Sequence, residues 1–166
     1  MINNWTYNGK VINSIDEMKP HIKGAKPWGF VYKLTLYDIK TGKLKFHYIG
    51  KKNLFSVRSK DATKKEMLEL PKSAFRRKKV RGGTIKYYRT VIKESDWKTY
   101  ISSNNFIRMN LKKFKIEREI LMFCSDDSDL SYREAREIIC QDALDDDIYL
   151  NDGVSLRRFG KKIIKG

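Results

Sequence analysis

Residues Trp28–Leu36 read WGFVYKLTL and residues Leu44–Gly50 read LKFHYIG, with Asp38-Ile-Lys-Thr-Gly42-Lys between them. The first run is dense in aromatic and β-branched residues, the second alternates around aromatic positions, and the connection carries turn formers. Together they predict a β-hairpin whose return strand is broken by Gly50. Each strand carries a tyrosine in a short motif, Tyr32 in GFVY and Tyr48 in YIG, and Arg58 follows the second tyrosine by ten residues. Two tyrosines at corresponding ends of paired strands, with an arginine behind them, can converge on one phosphodiester.

Working outward, Trp5 to Met18 predicts two short strands around Asn8-Gly9, a dipeptide that favours positive φ, then a short helix from Ser14 stopped by Pro20. Downstream, Thr63–Leu70 predicts a helix ending at Pro71. Helical signals return at Glu94–Tyr100, with Ser95 as cap, and at Asn105–Phe114. Glu119–Phe123 (EILMF) is apolar enough for a third strand. Ser131–Leu144 predicts a helix capped by Ser131, with Glu134 completing a capping box and Ala135, Ile138, Ile139 and Ala143 on one face. The expectation is an α+β fold, a small three-stranded antiparallel sheet flanked by helices, with a basic insertion. Its divisions are an N-terminal extension over 1–27, the domain over 28–152 with the insert at about 59–93, and a basic tail over 153–166.

The chain of 166 residues carries 36 Lys+Arg against 20 Asp+Glu, a net charge of +16. That excess favours a polyanionic partner, above all nucleic acid. The charge is uneven. Lys40–Tyr100 holds 19 Lys/Arg and 5 Asp/Glu, whereas Ser125–Asp152 holds 10 Asp/Glu and 2 Arg. The basic stretch, with Arg76-Arg-Lys-Lys-Val-Arg81 ahead of two glycines, reads as an insertion that orders on nucleic acid rather than as core. Cys124 and Cys140 lack metal-ligand spacing and read as reduced thiols. With no apolar run of about 18 residues and no signal peptide, the reading is a soluble protein of the cytoplasm.

Phosphodiester hydrolysis needs an activated water, a cation at the phosphate and charge stabilisation for a crowded transition state. Carboxylate-bound Mg²⁺ supplies the second and part of the third. A guanidinium forks onto phosphate oxygens. A tyrosine can position the water, but with a pKa near 10 it needs a metal or cation beside it to act as a base. Taken singly, each residue has a bland reading. Strand tyrosines are usually packing, Arg58 is one of many cations, Glu134 can be a capping carboxylate and Asn151 a turn residue. His47 should point away from Tyr48 and contact structure or DNA. The Asp145-Asp-Asp147 run reads as a solvated helix end.

From about Gly29 to Asn151 the chain resembles the GIY-YIG nucleases, in particular a phage-associated, homing-endonuclease-like branch. The motifs carrying the resemblance are GFVY, YIGKK, a Lys/Arg-rich insert, ESDWKTY, REIL, SYREA and YLN. The glycine of the first motif lies three residues before its tyrosine rather than two, and the tyrosines are 16 apart. The resemblance implies Tyr32, Tyr48, Arg58, Glu134 and Asn151 as catalytic residues. Tyr32 would activate water, Tyr48 position it, Arg58 stabilise the phosphate and Asn151 support the site by hydrogen bonding. Glu134, with Glu137 as the alternative, would hold Mg²⁺ or Mn²⁺, and His47 or Tyr100 could take a supporting role. Lys51, Lys52, Arg76, Arg77, Lys78, Lys79 and Arg81 would track the backbone of double-stranded DNA. The implied activity is a metal-dependent DNA endonuclease, working in host cytoplasm if phage-encoded. Its rivals are an inert basic nucleic-acid-binding module on the same fold and an RNA-associated protein with Trp5 and Trp28 as stacking platforms.

Overall fold

The protein is described by a computed structural model over residues 2–22, 26–79 and 82–154. Its elements in chain order are β1 (Ile2–Tyr7), β2 (Lys10–Val11), α1 (Ile15–Met18), β3 (Gly29–Asp38), β4 (Leu44–Asn53), β5 (Phe55–Asp61), α2 (Lys64–Glu69), β6 (Phe75–Lys79), β7 (Ile85–Glu94), α3 (Asn105–Met109), β8 (Phe114–Cys124) and α4 (Asp127–Cys140). They form two compact units. The larger contains 1–54 and 96–166, and the smaller is Phe55–Ser95.

The expected hairpin is β3 and β4, paired antiparallel from Gly29↔Asn53 to Tyr37↔Leu44. Its turn is closed by Asp38, whose carboxylate accepts from the amides of Lys40 and Thr41 at 2.9 Å each. Gly50 does not break the strand. It stays in register opposite Tyr32, and β4 runs on to Asn53. On the other side β3 pairs antiparallel with β8, so the expected third strand is present but begins at Phe114.

The sheet is larger than the three strands expected. Its order is β2-β1-β8-β3-β4, with β1 parallel to β8. The segment expected as an extension therefore belongs to the sheet, joined through the Asn8-Gly9 turn at φ 48° and 75°. Burial explains why. Trp5 is 1% exposed, its indole NH donates to the Trp97 carbonyl at 2.7 Å, and its ring meets Phe30 and Tyr32 edge-on at 5.0 and 5.2 Å. An aromatic of that size with a satisfied NH is a core anchor.

The opposite face of the sheet is covered by α4. Val31 and Ile49 pack there with Leu130, Ile138 and Ala143. This helix is capped five residues earlier than the capping box suggested. Asp126 is its cap, accepting from the Ser128 and Asp129 amides at 3.0 and 2.9 Å, and Ser131 lies inside it, buried. The earlier start brings Leu130, fully buried, onto the apolar face with Ile138. Asn105–Phe114 resolves into the short α3, capped by Asn104, and a 3₁₀ turn over Leu111–Lys113. Asp96–Tyr100 is a turn rather than a helix.

The smaller unit spans the basic stretch. It is an antiparallel sheet of order β5-β7-β6 with α2, which has a full capping box between Thr63 and Glu66. The expected helix before Pro71 is thus present, while Arg76–Lys79 form strand β6. Arg81 and most of the basic tail lie outside the described residues.

Candidate active site

Alternation along the strands sorts the candidate residues. Tyr32 pairs with Gly50 and Leu34 with Tyr48, so both tyrosines occupy one face of the hairpin, two residues apart in register. Their rings lie 6.3 Å apart. Tyr32 is fully buried, enclosed by Trp5, Tyr48 and the ring of Tyr100 at 6.2 Å. Its hydroxyl lies within hydrogen-bonding reach of Tyr100 and Ser102, and Tyr48's within reach of Ser103 and Ser102.

Burial raises both phenols above their ordinary value of 10.0, Tyr32 strongly, with Tyr100 adding to the effect at each. Both are neutral hydroxyls at physiological pH. The expectation that Tyr32 activates water meets a physical obstacle, because a side chain without surface cannot touch water. Tyr48, half-buried, has that access.

Tyr100 was weighed only as a possible supporting residue; Ser102 and Ser103 were missed. They follow Trp97, whose burial fixes the turn. Arg118, buried and 4.7 Å over Trp5, donates to the Tyr100 and Lys98 carbonyls at 2.9 and 3.0 Å. On the sheet side Lys52 places its ammonium 3.9 Å over the Tyr100 ring and 2.5 Å from Asp96. The sequence signal is ESDWKTY, one of the motifs of the family resemblance, continued by Ile101-Ser-Ser103-Asn.

Glu134 lies on α4, across the sheet from the tyrosine rings. Lys51, one residue out of phase with Lys52, points to α4 and pairs with the Glu134 carboxylate at 2.8 Å, its ammonium also donating to Ser131 at 3.0 Å. The alternation thus turns Tyr48 and Lys52 to one face of the sheet and Lys51, with its partner Glu134, to the other. Tyr48 lies on β4, the edge strand, and the charge of the Glu134 carboxylate adds a little to the rise of its phenol. Glu137 is engaged elsewhere. It accepts from Gln141 at 3.0 Å, in a network with Tyr149 and Lys33.

Asn151 clamps the same edge. Its amide oxygen accepts from the Ile49 NH at 2.9 Å and its amide nitrogen donates to the Ile49 carbonyl at 2.8 Å. Beside it, the His47 NH donates to Ile148 and the Leu150 NH to the His47 carbonyl. His47 itself lies on the α4 side, 3.3 Å from Thr35, with its pKa lowered by burial and by Lys33, so it is neutral. Asn151→Ala should cost about 2–3 kcal/mol of stability, because two backbone groups lose partners, and should slow turnover by loosening Tyr48. Urea denaturation of the two proteins measures the first effect.

Arg58 stands on β5 of the smaller unit with its side chain exposed. The larger unit thus gathers Tyr32, Tyr48, Glu134 and Asn151 without it. Asp145–Asp147 are exposed at the end of the α4 region. Cys140 is exposed and Cys124 buried, its thiol pushed up to about 12 mainly by burial; neither is bonded.

Among the described residues no group of three or more His, Cys, Asp or Glu could enclose a metal. Glu134 offers one carboxylate. That donor set suits Mg²⁺, which keeps several waters and shares its shell with substrate phosphate, and not the nitrogen and sulfur set of zinc. No helix among the described residues is long and apolar enough to cross a membrane.

Comparison with curated proteins and with solved structures gave no match. Comparison with protein families did give a match. The family described as "Putative endonuclease segE, GIY-YIG domain" matches residues 5–154. The match starts at Trp5, the residue that ties β1 into the core, and ends beyond the Asn151 clamp. The chain belongs to the SegE branch of the GIY-YIG endonuclease family.

Proposed function

We propose that the protein is a metal-dependent endonuclease of the phage-encoded kind, hydrolysing phosphodiester bonds of double-stranded DNA at one site on the β4 edge. The observation that carries this reading is that β4, the edge strand, presents Tyr48, packed with Tyr32 and Tyr100, on one face and on the other Lys51, paired with the Glu134 carboxylate at 2.8 Å. A packing role alone has no need for three tyrosine hydroxyls grouped together.

Glu134 would hold Mg²⁺ or Mn²⁺, which when bound neutralises the phosphate and lowers the pKa of a coordinated water. Lys51 balances the carboxylate and offers a cation to the phosphate. Tyr48, a neutral hydroxyl, orients the attacking water through one hydrogen bond, and Ser103 and Ser102 fix its rotor. Tyr32 is a positioning residue that holds Tyr48 and Tyr100 from below. Arg58 is the guanidinium that the family pattern assigns to the phosphate. Asn151 holds the edge in register.

The test is conversion of supercoiled plasmid to nicked or linear product. It should require Mg²⁺ or Mn²⁺ and stop in EDTA. Salt-sensitive binding with no product in either metal, even at high protein concentration, would favour an inert binding module instead. The raised phenols make a second expectation. An acid with a raised pKa stays protonated to higher pH, so no tyrosine ionisation should bend the rate profile between pH 7 and about 10. Tyr48→Phe should lower the rate by about 10- to 100-fold and leave the profile's shape unchanged. A wild-type limb in that window that disappears in Tyr48→Phe would make Tyr48 a base.

A further inference from the structure

The run Arg76-Arg-Lys-Lys79 reads in sequence as one cationic block, but on a strand it cannot act as one. In β6, Arg77 and Lys79 point to one side of the small sheet and Arg76 and Lys78 to the other. Register assigns their neighbours. Arg77 lies opposite Tyr87 and Lys79 opposite Ile85, while Lys60 lies opposite Arg89 and Arg58 opposite Val91. Lys93, two residues beyond Val91, shares that side. The strands therefore carry Lys93, Arg58, Lys60, Arg89, Arg77 and Lys79 in a diagonal from one end of the sheet to the other, with no carboxylate among them.

The other side has a different balance. Arg76, Lys78 and Lys86 share it with Asp61 and Glu94, and Lys86 is paired to Asp61 at 3.3 Å. It also exposes Val57 and Ile92, apolar side chains opposite each other and 50% and 60% exposed. Exposure does not separate the two sets of cations, since Arg76, Arg77, Lys78 and Lys79 are all exposed. Charge pattern does. On the diagonal, Arg89 is paired with Glu66 of α2 at 2.6 Å. Arg58, Lys60, Arg77, Lys79 and Lys93 are exposed there.

We propose that this diagonal is the surface on which the backbone of duplex DNA lies, and that the Arg76–Lys78 side is not in contact with it. The choice of DNA rests on the nuclease reading above; the choice of face rests on strand register alone. Along β7, Lys93 to Ile85 spans roughly 27 Å at the rise of a strand, about the axial length of eight base pairs of duplex. Tyr87, exposed between Arg77 and Arg89, offers a hydroxyl to the same backbone.

Two full-length variants with the same charge removed test it. Lys60→Gln/Arg77→Gln/Lys79→Gln strips the diagonal, and Arg76→Gln/Lys78→Gln/Lys86→Gln strips the other side. Binding of a fluorescent 20-base-pair duplex is measured by anisotropy in EDTA across a salt series, with thermal melting as a check on folding. The first variant should bind about 100-fold more weakly at about 0.15 M salt and lose about 3 from the salt slope. The second should bind within about 3-fold of wild type. Should a triple variant melt early, the pairs Arg77→Gln/Lys79→Gln and Arg76→Gln/Lys78→Gln make the same comparison on one strand. Equal losses, or a larger loss from the second variant, overturn the proposal while plasmid cleavage by the wild type keeps the nuclease reading intact. A wild type that neither binds the duplex nor cuts plasmid overturns both.

Discussion

Glu134→Gln should leave a folded protein that still binds DNA but cleaves it about 10²- to 10³-fold more slowly in Mg²⁺. The substitution keeps the shape of the side chain and removes its charge. That charge is the one proposed to hold the cation. Its loss leaves the Lys51 ammonium without its anion, in a setting where the two side chains are 25% and 16% exposed. The pair is partly buried, so some stability goes with it, about 1 kcal/mol after allowance for solvent screening. Binding should hold or tighten, because a negative charge has left the neighbourhood of the phosphate. Measured single-turnover cleavage and anisotropy separate the two effects. A Glu134→Gln protein that cuts at the wild-type rate would sink the metal assignment, and a parallel loss at Glu137→Gln would move the assignment to that residue.

The second large effect comes from a residue with no side chain. A methyl group at Gly50 would lie 2.6 Å from the Tyr32 hydroxyl oxygen, 2.7 Å from its Cζ and 2.9 Å from Cε1 of Tyr48. Tyr32 cannot swing aside, since Trp5, Tyr48 and Tyr100 enclose it and none of its surface is exposed. Gly50→Ala should therefore cost about 2–3 kcal/mol as overpacking. It should also lower cleavage by about 100-fold or more under conditions where the protein remains folded, since a displacement near 1 Å at a catalytic group has that cost. Gly153→Ala, where a methyl group meets nothing within 4 Å, is the control and should match wild type in both melting and cleavage. A Gly50→Ala enzyme of normal rate would mean that the tyrosines do not need their present spacing.

Gly50 also shows what could be read from the sequence. As a strand breaker it was misread, because a glycine's missing side chain was taken as weakness in the strand rather than as room for a ring across it. The hairpin, the Asn8-Gly9 turn and α2 were legible, since each depends on neighbours in sequence. The start of α4 was not, because Ser131 and Glu134 satisfy the local rule for a cap while the burial of Leu130 decides the matter. The role of Trp5 was hidden for the same reason, as its partners Phe30, Tyr32 and Trp97 are distant in sequence. In the candidate site, the tyrosines were legible from spacing on a hairpin. Ser102 and Ser103 were not, because nothing local distinguishes a serine that fixes a phenol from one in a loop. The pairing of Lys51 with Glu134 needed the β4 phase and the position of α4 together.

The smaller unit enters and leaves through adjacent strand partners, Phe55 opposite Glu94. Its ends are thus held at about the separation of neighbouring strands, roughly 5 Å, once it folds. For the main sheet, which must bring β3 against β8 from far apart in the chain, a folded insert counts as a short link. With the insert folded, the entropy of closing that loop is that of the shorter link. The insert is in that sense a removable cassette, open to exchange for another of different length or charge without altering the register of the strands that carry the tyrosines.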